Sequence, residues 1–432
     1  MTDPRPSKRR YEIALWIDKR LGPALCGLLL ILKRLTGRRR SARAPEDVRR
    51  ILLLKMWGMG SIVLATPLLA RLREHHPNAR IDLVTLHENE AIARLLPGFD
   101  RIVGIDLSHG VLQFFWNTLR TIAALRREHY DLLLDLEFFT RFSAAFSFLV
   151  GADRSHGFSA KGSFRGRLHD VEIPFNAYAH VALNFLTLLT GDYMNPLDPA
   201  LVEAPDALPL LTVPESEWQS CCELLRADPA WREGEALVVV NPNAGDMAIE
   251  RRWPTERVAE LLRQLTARHP VNVVLIGSPA ERDHVASVVR ESEVSGRLVD
   301  LAGRTSIAQM VALLAHADVV VTNDSGPMHI AAAAGSSTVA LFGPETPTLY
   351  HPLRARPEQR HAIHTLNLGC SPCMFVHDNK VLSCWFSQAK CMSGISPADV
   401  LASVEALLAG EEPKSAGKEP KSAEPQLRVV ET

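Results

Sequence analysis

Asp318-Val319-Val320-Val321-Thr322-Asn323-Asp324-Ser325-Gly326-Pro327-Met328-His329 reads as a strand, a turn and the start of a helix. An unbroken apolar run suits a strand buried on both faces of a parallel sheet. After it, Ser325 is a suitable N-cap, Pro327 fits the first helical turn, and Gly326 lets a ligand approach the backbone. The first amides of such a helix lack internal partners and the helix dipole is positive there, so the turn is a ready anion site. It also lies at a strand's carboxyl end, where ligands of open α/β sheets gather. A tight turn with no ligand is the plainer alternative.

The same alternation extends outward. Upstream lie strands at 237–240, 271–276 and 298–300, separated by helical stretches at about 255–268, 279–291 and 306–316, and another strand follows at 338–341. An earlier series begins at 51–54 and continues at 81–85, 101–105 and 131–136. Strands alternating with helices imply doubly wound parallel sheets, and two series imply two α/β domains facing a cleft. The expected division is a basic, apolar segment 1–45, an N-terminal domain 46–205, a C-terminal domain 206–409 and a disordered tail 410–432, where Glu-Pro-Lys-Ser-Ala occurs twice.

Across the chain, 48 Lys and Arg nearly balance 49 Asp and Glu, which argues against a nucleic-acid binder. The first fifty residues are nevertheless strongly basic. Their apolar run 21–32 is too short to span a bilayer and carries basic residues on both sides, unlike a signal peptide. It reads either as a helix on an anionic cytoplasmic leaflet or as an extra helix packed on the protein. Seven cysteines do not make a disulfide scaffold, and a reducing compartment is expected.

Several groups surround the anion turn. Arg251 and Arg252 follow a strand and the loop holding Asn243, and guanidinium groups suit phosphate oxygens. Glu281 sits at a helix start, placed either to bind ribose hydroxyls or to cap the helix. Cys370, Cys373, Cys384 and Cys391 have the count for a structural zinc, with His377 nearby, but not the compact paired spacing; reduced thiols are the alternative.

Together these motifs resemble glycosyltransferase family 9, the lipopolysaccharide heptosyltransferases. The resemblance covers roughly residues 48–408 and rests on an ordered set: Arg251-Arg252-Trp253-Pro254, Gly277-Ser278-Pro279-Ala280-Glu281, residues 300–306, the 323–329 turn, Leu341-Phe342-Gly343-Pro344, and Gly60-Ser61 with Thr66-Pro67. It implies a GT-B fold with an acceptor-binding N-domain and a donor-binding C-domain. It also implies inverting, metal-independent transfer of heptose from ADP-heptose to a lipid-linked core saccharide, at the cytoplasmic face of the bacterial inner membrane. By position, Arg251 takes the family's phosphate-binding lysine, Glu281 its ribose-binding glutamate, and Asp324, Ser325, Gly326 its diphosphate turn, with His329 and Asn243 beside them.

One departure matters. The family's Gly-Asp, whose acid is proposed as general base, is Gly60-Ser61 here. A serine hydroxyl is a poor base near neutral pH, so Ser61 is read as a helix cap. Glu137, sharing a strand face with Asp135, is the preferred replacement, with an ion pair to Arg141 as its alternative role. Glu88, Glu90 and His180 follow. Lys55 and the basic loop carrying Arg154, Lys161, Arg165 and Arg167 are candidates for acceptor anions. A non-catalytic nucleotide-sugar-binding relative is the competing reading, because of Ser61, and a sugar-nucleotide epimerase of the same fold is a third.

Overall fold

The computed structural model describes residues 8–36, 48–107, 110–138, 140–159, 164–191, 198–204, 207–374 and 384–413. Lys161, His377 and the tail beyond 413 therefore lie outside the described residues, as does the expected domain boundary at 205–206.

Among the described residues, twelve strands form two all-parallel six-stranded sheets. The first holds β1 (Arg50–Leu54), β2 (Arg80–Leu86), β3 (Arg101–Ile105), β4 (Leu132–Asp135), β5 (Arg154–Ser159) and β6 (Val171–Pro174) in the order β3-β2-β1-β4-β5-β6. The second holds β7 (Ala236–Asn241), β8 (Val271–Leu275), β9 (Leu298–Asp300), β10 (Val319–Asn323), β11 (Ser337–Leu341) and β12 (His361–His364), in the order β12-β11-β10-β7-β8-β9. Read from the other edge, the second order is the first repeated. Each sheet thus reverses direction once, between β1 and β4 and between β7 and β10, and opens a crevice at those carboxyl ends.

The central strands are mostly apolar because helices cover both faces of each sheet, and apart from exposed Arg50 at the start of β1 the residues of β1, β4, β8 and β10 are buried. Three strands were not expected from the sequence: β5, β6 and β12. Arg-Ser-His-Gly-Phe-Ser, Val-Glu-Ile-Pro and His-Ala-Ile-His lack apolar runs. The last two are edge strands, where one side needs no apolar cover. In β5 the polar groups find internal partners: Ser155 binds Asp170 through its amide and hydroxyl, and His156 Nδ1 lies 2.7 Å from the Leu188 carbonyl.

One continuous core joins the domains. Ile62, Leu68 and Val181 of the first half share an apolar cluster with Met328, Ile330 and Leu349 of the second. Backbone bonds tie the start of the second domain to its later part, from the Leu211 amide to the Ala333 carbonyl (2.7 Å) and from the Leu208 amide to the Arg354 carbonyl (3.1 Å). The helix Lys8–Leu35 packs against the helix Arg141–Val150.

Candidate active site

The crevice of the second sheet is lined by polar residues that the strands deliver. β7 ends in Asn241, whose amide nitrogen reaches Thr322 Oγ1 and Ser325 Oγ, both at 3.1 Å. β10 ends in Asn323, which accepts the Trp253 amide at 3.1 Å and donates to the Asn243 carbonyl at 3.1 Å. This ties the Arg-Arg-Trp-Pro segment to the helix-opening turn, with Trp253 as a fully buried anchor. Arg251 is held over that turn by Asp324, 3.2 Å away. Asn243 Oδ1 and Arg251 Nε are buried with no hydrogen-bond partner among the described residues, and buried polar atoms of that kind call for an explanation.

The eight-residue helix Gly326–Ala333 starts here, with Ser325 at the N-cap. Ser325 adopts the expected extended conformation, but its hydroxyl makes no cap bond; it faces Asn241 and Thr322 instead. Because Pro327 has no N–H, Ser325 and Gly326 are the amides presented at the helix start. The backbone that approaches Gly326 most closely belongs to the other domain. A Cβ on Gly60 would lie 3.2 Å from Gly326 Cα and 2.6 Å from His329 Cδ2, so the Gly60 turn is pressed against the anion turn. Glu281 forms a capping box, accepting from the Ser278 amide (2.8 Å) and hydroxyl (2.6 Å) through one oxygen, Oε2. The capping alternative is thus realised, and both bonds fall on the one oxygen Oε2.

The crevice of the first sheet is built differently. Glu137 is buried just past β4, and its Oε1 accepts from Lys55 Nζ (2.9 Å), the Met56 amide (2.7 Å) and the Trp57 amide (3.0 Å). Its partner is therefore Lys55, not Arg141, which pairs with Asp18 of the first helix. Lys55 is itself buried, with its ammonium over the Phe138 ring, so it does not present a charge to acceptor anions. Glu137 Oε2 makes no hydrogen bond among the described residues.

Beneath Glu137 lies a buried cluster. Asp135 accepts from Arg165, from Ser143 Oγ (2.9 Å), from His169 Nε2 (3.1 Å) and from the Glu137 amide (3.0 Å). Burial opposes its charge, yet Arg165, His169 and the amide together hold its carboxyl below the usual value. Arg165 also donates to the Phe138 and Phe158 carbonyls. It is a structural clamp rather than an acceptor contact. Arg154 is displaced for another reason: it opens β5 and so sits at the amino edge of the sheet, away from the crevice. Arg167 is exposed in a left-handed conformation.

Other expectations need correcting. Ser61 lies inside the short helix Met59–Val63, capped by Gly58, and its side chain caps nothing. The next helix, Thr66–His75, has Ala65 at its N-cap. His180 is an N-cap whose Nδ1 accepts the Ala182 amide, leaving Nε2 to donate to the His351 carbonyl at 3.1 Å. Both nitrogens are spent, and burial first, then His351, push its pKa well down, so it is fixed neutral. Glu90 is paired with His87 and Arg94, and Glu88 stands half-buried in the turn His87–Asn89. The four clustered cysteines are free thiols, and among the described residues no three His, Cys, Asp or Glu gather as a metal site. Burial raises Cys391 to about 11.

Two repeated Rossmann-order sheets, facing crevices and an anion turn at their contact define a protein of the GT-B class. The family model of glycosyltransferase family 9 (heptosyltransferase) matches residues 118–382, and the chain belongs to that family of glycosyltransferases. It is 29% identical over 312 residues to lipopolysaccharide heptosyltransferase 2 of Salmonella typhimurium, covering 70% of this chain and 85% of the relative. With lipooligosaccharide heptosyltransferase 2 of Haemophilus influenzae it shares 26% over 306 residues, 70% of this chain and 86% of that one. Among solved structures, a family 9 glycosyltransferase from Veillonella parvula superposes with TM-score 0.66 at 21% identity, covering 85% of this chain and 99% of its own. The ADP-heptose lipopolysaccharide heptosyltransferase II of E. coli gives 0.64 at 22%, covering 84% and 98%.

Proposed function

We propose that this enzyme transfers heptose from ADP-heptose to a lipopolysaccharide core saccharide, with inversion and without a metal ion. The observation that carries the reading is the anion turn with Arg251 above it, facing the Gly60 turn of the other domain. A leaving diphosphate needs positive charge where its bond breaks. Arg251, Arg252 and the amides of Ser325 and Gly326 supply it. Asn243 and Glu281, with one carboxylate oxygen still available, take the nucleoside.

Inversion requires the acceptor hydroxyl to attack from the face opposite the leaving group and to lose its proton to a nearby base. Glu137 takes that role through Oε2, on the crevice wall facing the donor. Lys55 and the two amides fix the carboxylate's orientation through Oε1. The Asp135 cluster positions Glu137 from below.

The test is donor turnover with extracted core lipid. Glu137→Gln is expected to lower kcat by about 10²–10⁴ with ADP affinity kept. Arg251→Ala is expected to weaken ADP binding by about tenfold to a hundredfold. If the native chain binds ADP-heptose without transfer and Glu137→Gln changes nothing, the non-catalytic alternative raised by Ser61 stands instead.

A further inference from the structure

The helix Lys8–Leu35 is built inside out. Its inward stripe, stepping by three and four, is Asp18, Gly22, Cys26, Leu29 and Lys33. Asp18 accepts the Phe142 amide at 2.8 Å and pairs with Arg141. Gly22 lies so close that a Cβ would sit 2.6 Å from Arg141 Cδ. Cys26 and Leu29 pack on Ala144 and Phe148, and Lys33 Nζ donates to the Leu168 and His169 carbonyls, both at 2.9 Å. Charged residues thus serve as the inward anchors. The outward stripe is apolar: Trp16 is 60% exposed, Leu21 60%, Leu28 64% and Leu35 80%. A helix resting on a protein in water shows the reverse.

A second apolar patch stands beside it. Phe115 and Trp116, on the helix Val111–Glu128, are 61% and 54% exposed. Both helices pack on the same helix, Arg141–Val150, and so flank it. Charge identifies what covers this face. Residues 1–45 hold twelve Lys or Arg against three Asp or Glu, while the rest of the chain has an acidic excess. Lys19, Arg20 and Arg34 are exposed on the described helix. A second copy of the chain would bring two basic helices together, whereas an anionic surface complements them. Among the described residues no helix is long and apolar enough to cross a membrane.

We propose that this face docks flat on an anionic lipid bilayer, with the outward stripe in the headgroup–acyl boundary. The docking plane borders the catalytic cleft. The helix holds Arg141 and the carbonyls of residues 167–169, in the segment whose Arg165 and His169 grip Asp135. It also approaches the donor-side turn Asp246–Arg251. An acceptor carried by lipid therefore reaches Glu137 from the bilayer side.

Flotation of the full chain with vesicles tests this, comparing phosphatidylcholine alone with phosphatidylcholine mixed with phosphatidylglycerol. Binding is expected to the mixed vesicles, weakened by salt. Leu28→Glu is expected to lower the partition coefficient at least about tenfold while leaving ADP affinity unchanged, since it puts a charge on the apolar stripe. Equal binding of native and Leu28→Glu protein overturns the proposal, as does indifference to the anionic lipid. A soluble dimer that Leu28→Glu dissociates, with no vesicle binding, assigns the face to a second copy and also overturns it. Donor and acceptor are absent from the assay, so its failure leaves the transfer reading untouched.

Discussion

The two crevices have the same topology and different electrostatic designs. Between β7 and β10 a single ion pair, Arg251 with Asp324, lies over the helix start, and Arg251 Nε has no hydrogen-bond partner among the described residues. Between β1 and β4 the charges are turned on one another, Lys55 on Glu137 and Arg165 on Asp135, all four buried. Repetition of a fold therefore fixes where a site forms but not what it does. An anion-binding site needs unspent donors at its surface. On the proposed reading, a base needs one carboxylate oxygen held still and the other left available, and the buried counter-charges of the first crevice provide the holding.

The strongest way to break this contrast is to remove the deepest charge of the first crevice. Asp135→Asn leaves Arg165 buried without its anion, a change expected to cost about 3–5 kcal/mol in stability, read from urea denaturation. The same carboxyl gives the contrast a pH signature. Its folded pKa is depressed, so its contribution is complete above the ordinary value of 3.8 and is lost as pH falls toward the lower folded value. Asp135→Asn is expected to flatten acid denaturation in that range.

The contact between the crevices comes next. Gly60→Ala places a methyl 2.6 Å from His329 Cδ2, and relieving such overlap is expected to cost about 1–3 kcal/mol. Transfer is expected to fall more than ADP affinity, because the substitution parts the domains rather than altering the anion turn. Equal losses in both would show that the Gly60 turn belongs to the donor site itself.

The domain junction supplies a further test. The rings of His180 and His351 lie tilted against each other with centroids 4.4 Å apart, and burial lowers the pKa of each below 6.5. A depressed histidine costs stability on the acid side: the junction is at full strength above about pH 6.5 and weakens as pH falls. The slope is at most about 1.4 kcal/mol per pH unit for each group. Denaturation midpoints measured from pH 8 to 5 check this, with His180→Asn expected to flatten the curve. The smallest effect is expected at Ser61. Since its side chain caps nothing, Ser61→Ala should shift stability by less than about 0.5 kcal/mol, where loss of a real cap costs about 1.

The sequence by itself determined the parts governed by local pattern. Apolar runs closed by turns announced the central strands of both sheets, and Asn323–Pro327 announced a strand-to-helix turn that the fold sets at the end of β10. Edge strands such as His361–His364 escaped because an edge needs no apolar run. Partners were decided only by the tertiary structure. Glu137 and Arg141 are four apart and suggest a pair, yet Lys55, brought alongside by the pairing of β1 with β4, claims the glutamate. Arg165 looked like one of several loop cations until burial beside Asp135 made it a clamp. Local periodicity records which face of an element is apolar, whereas the worth of a charge depends on how much water surrounds it and what stands opposite. Those quantities exist only once the chain is folded.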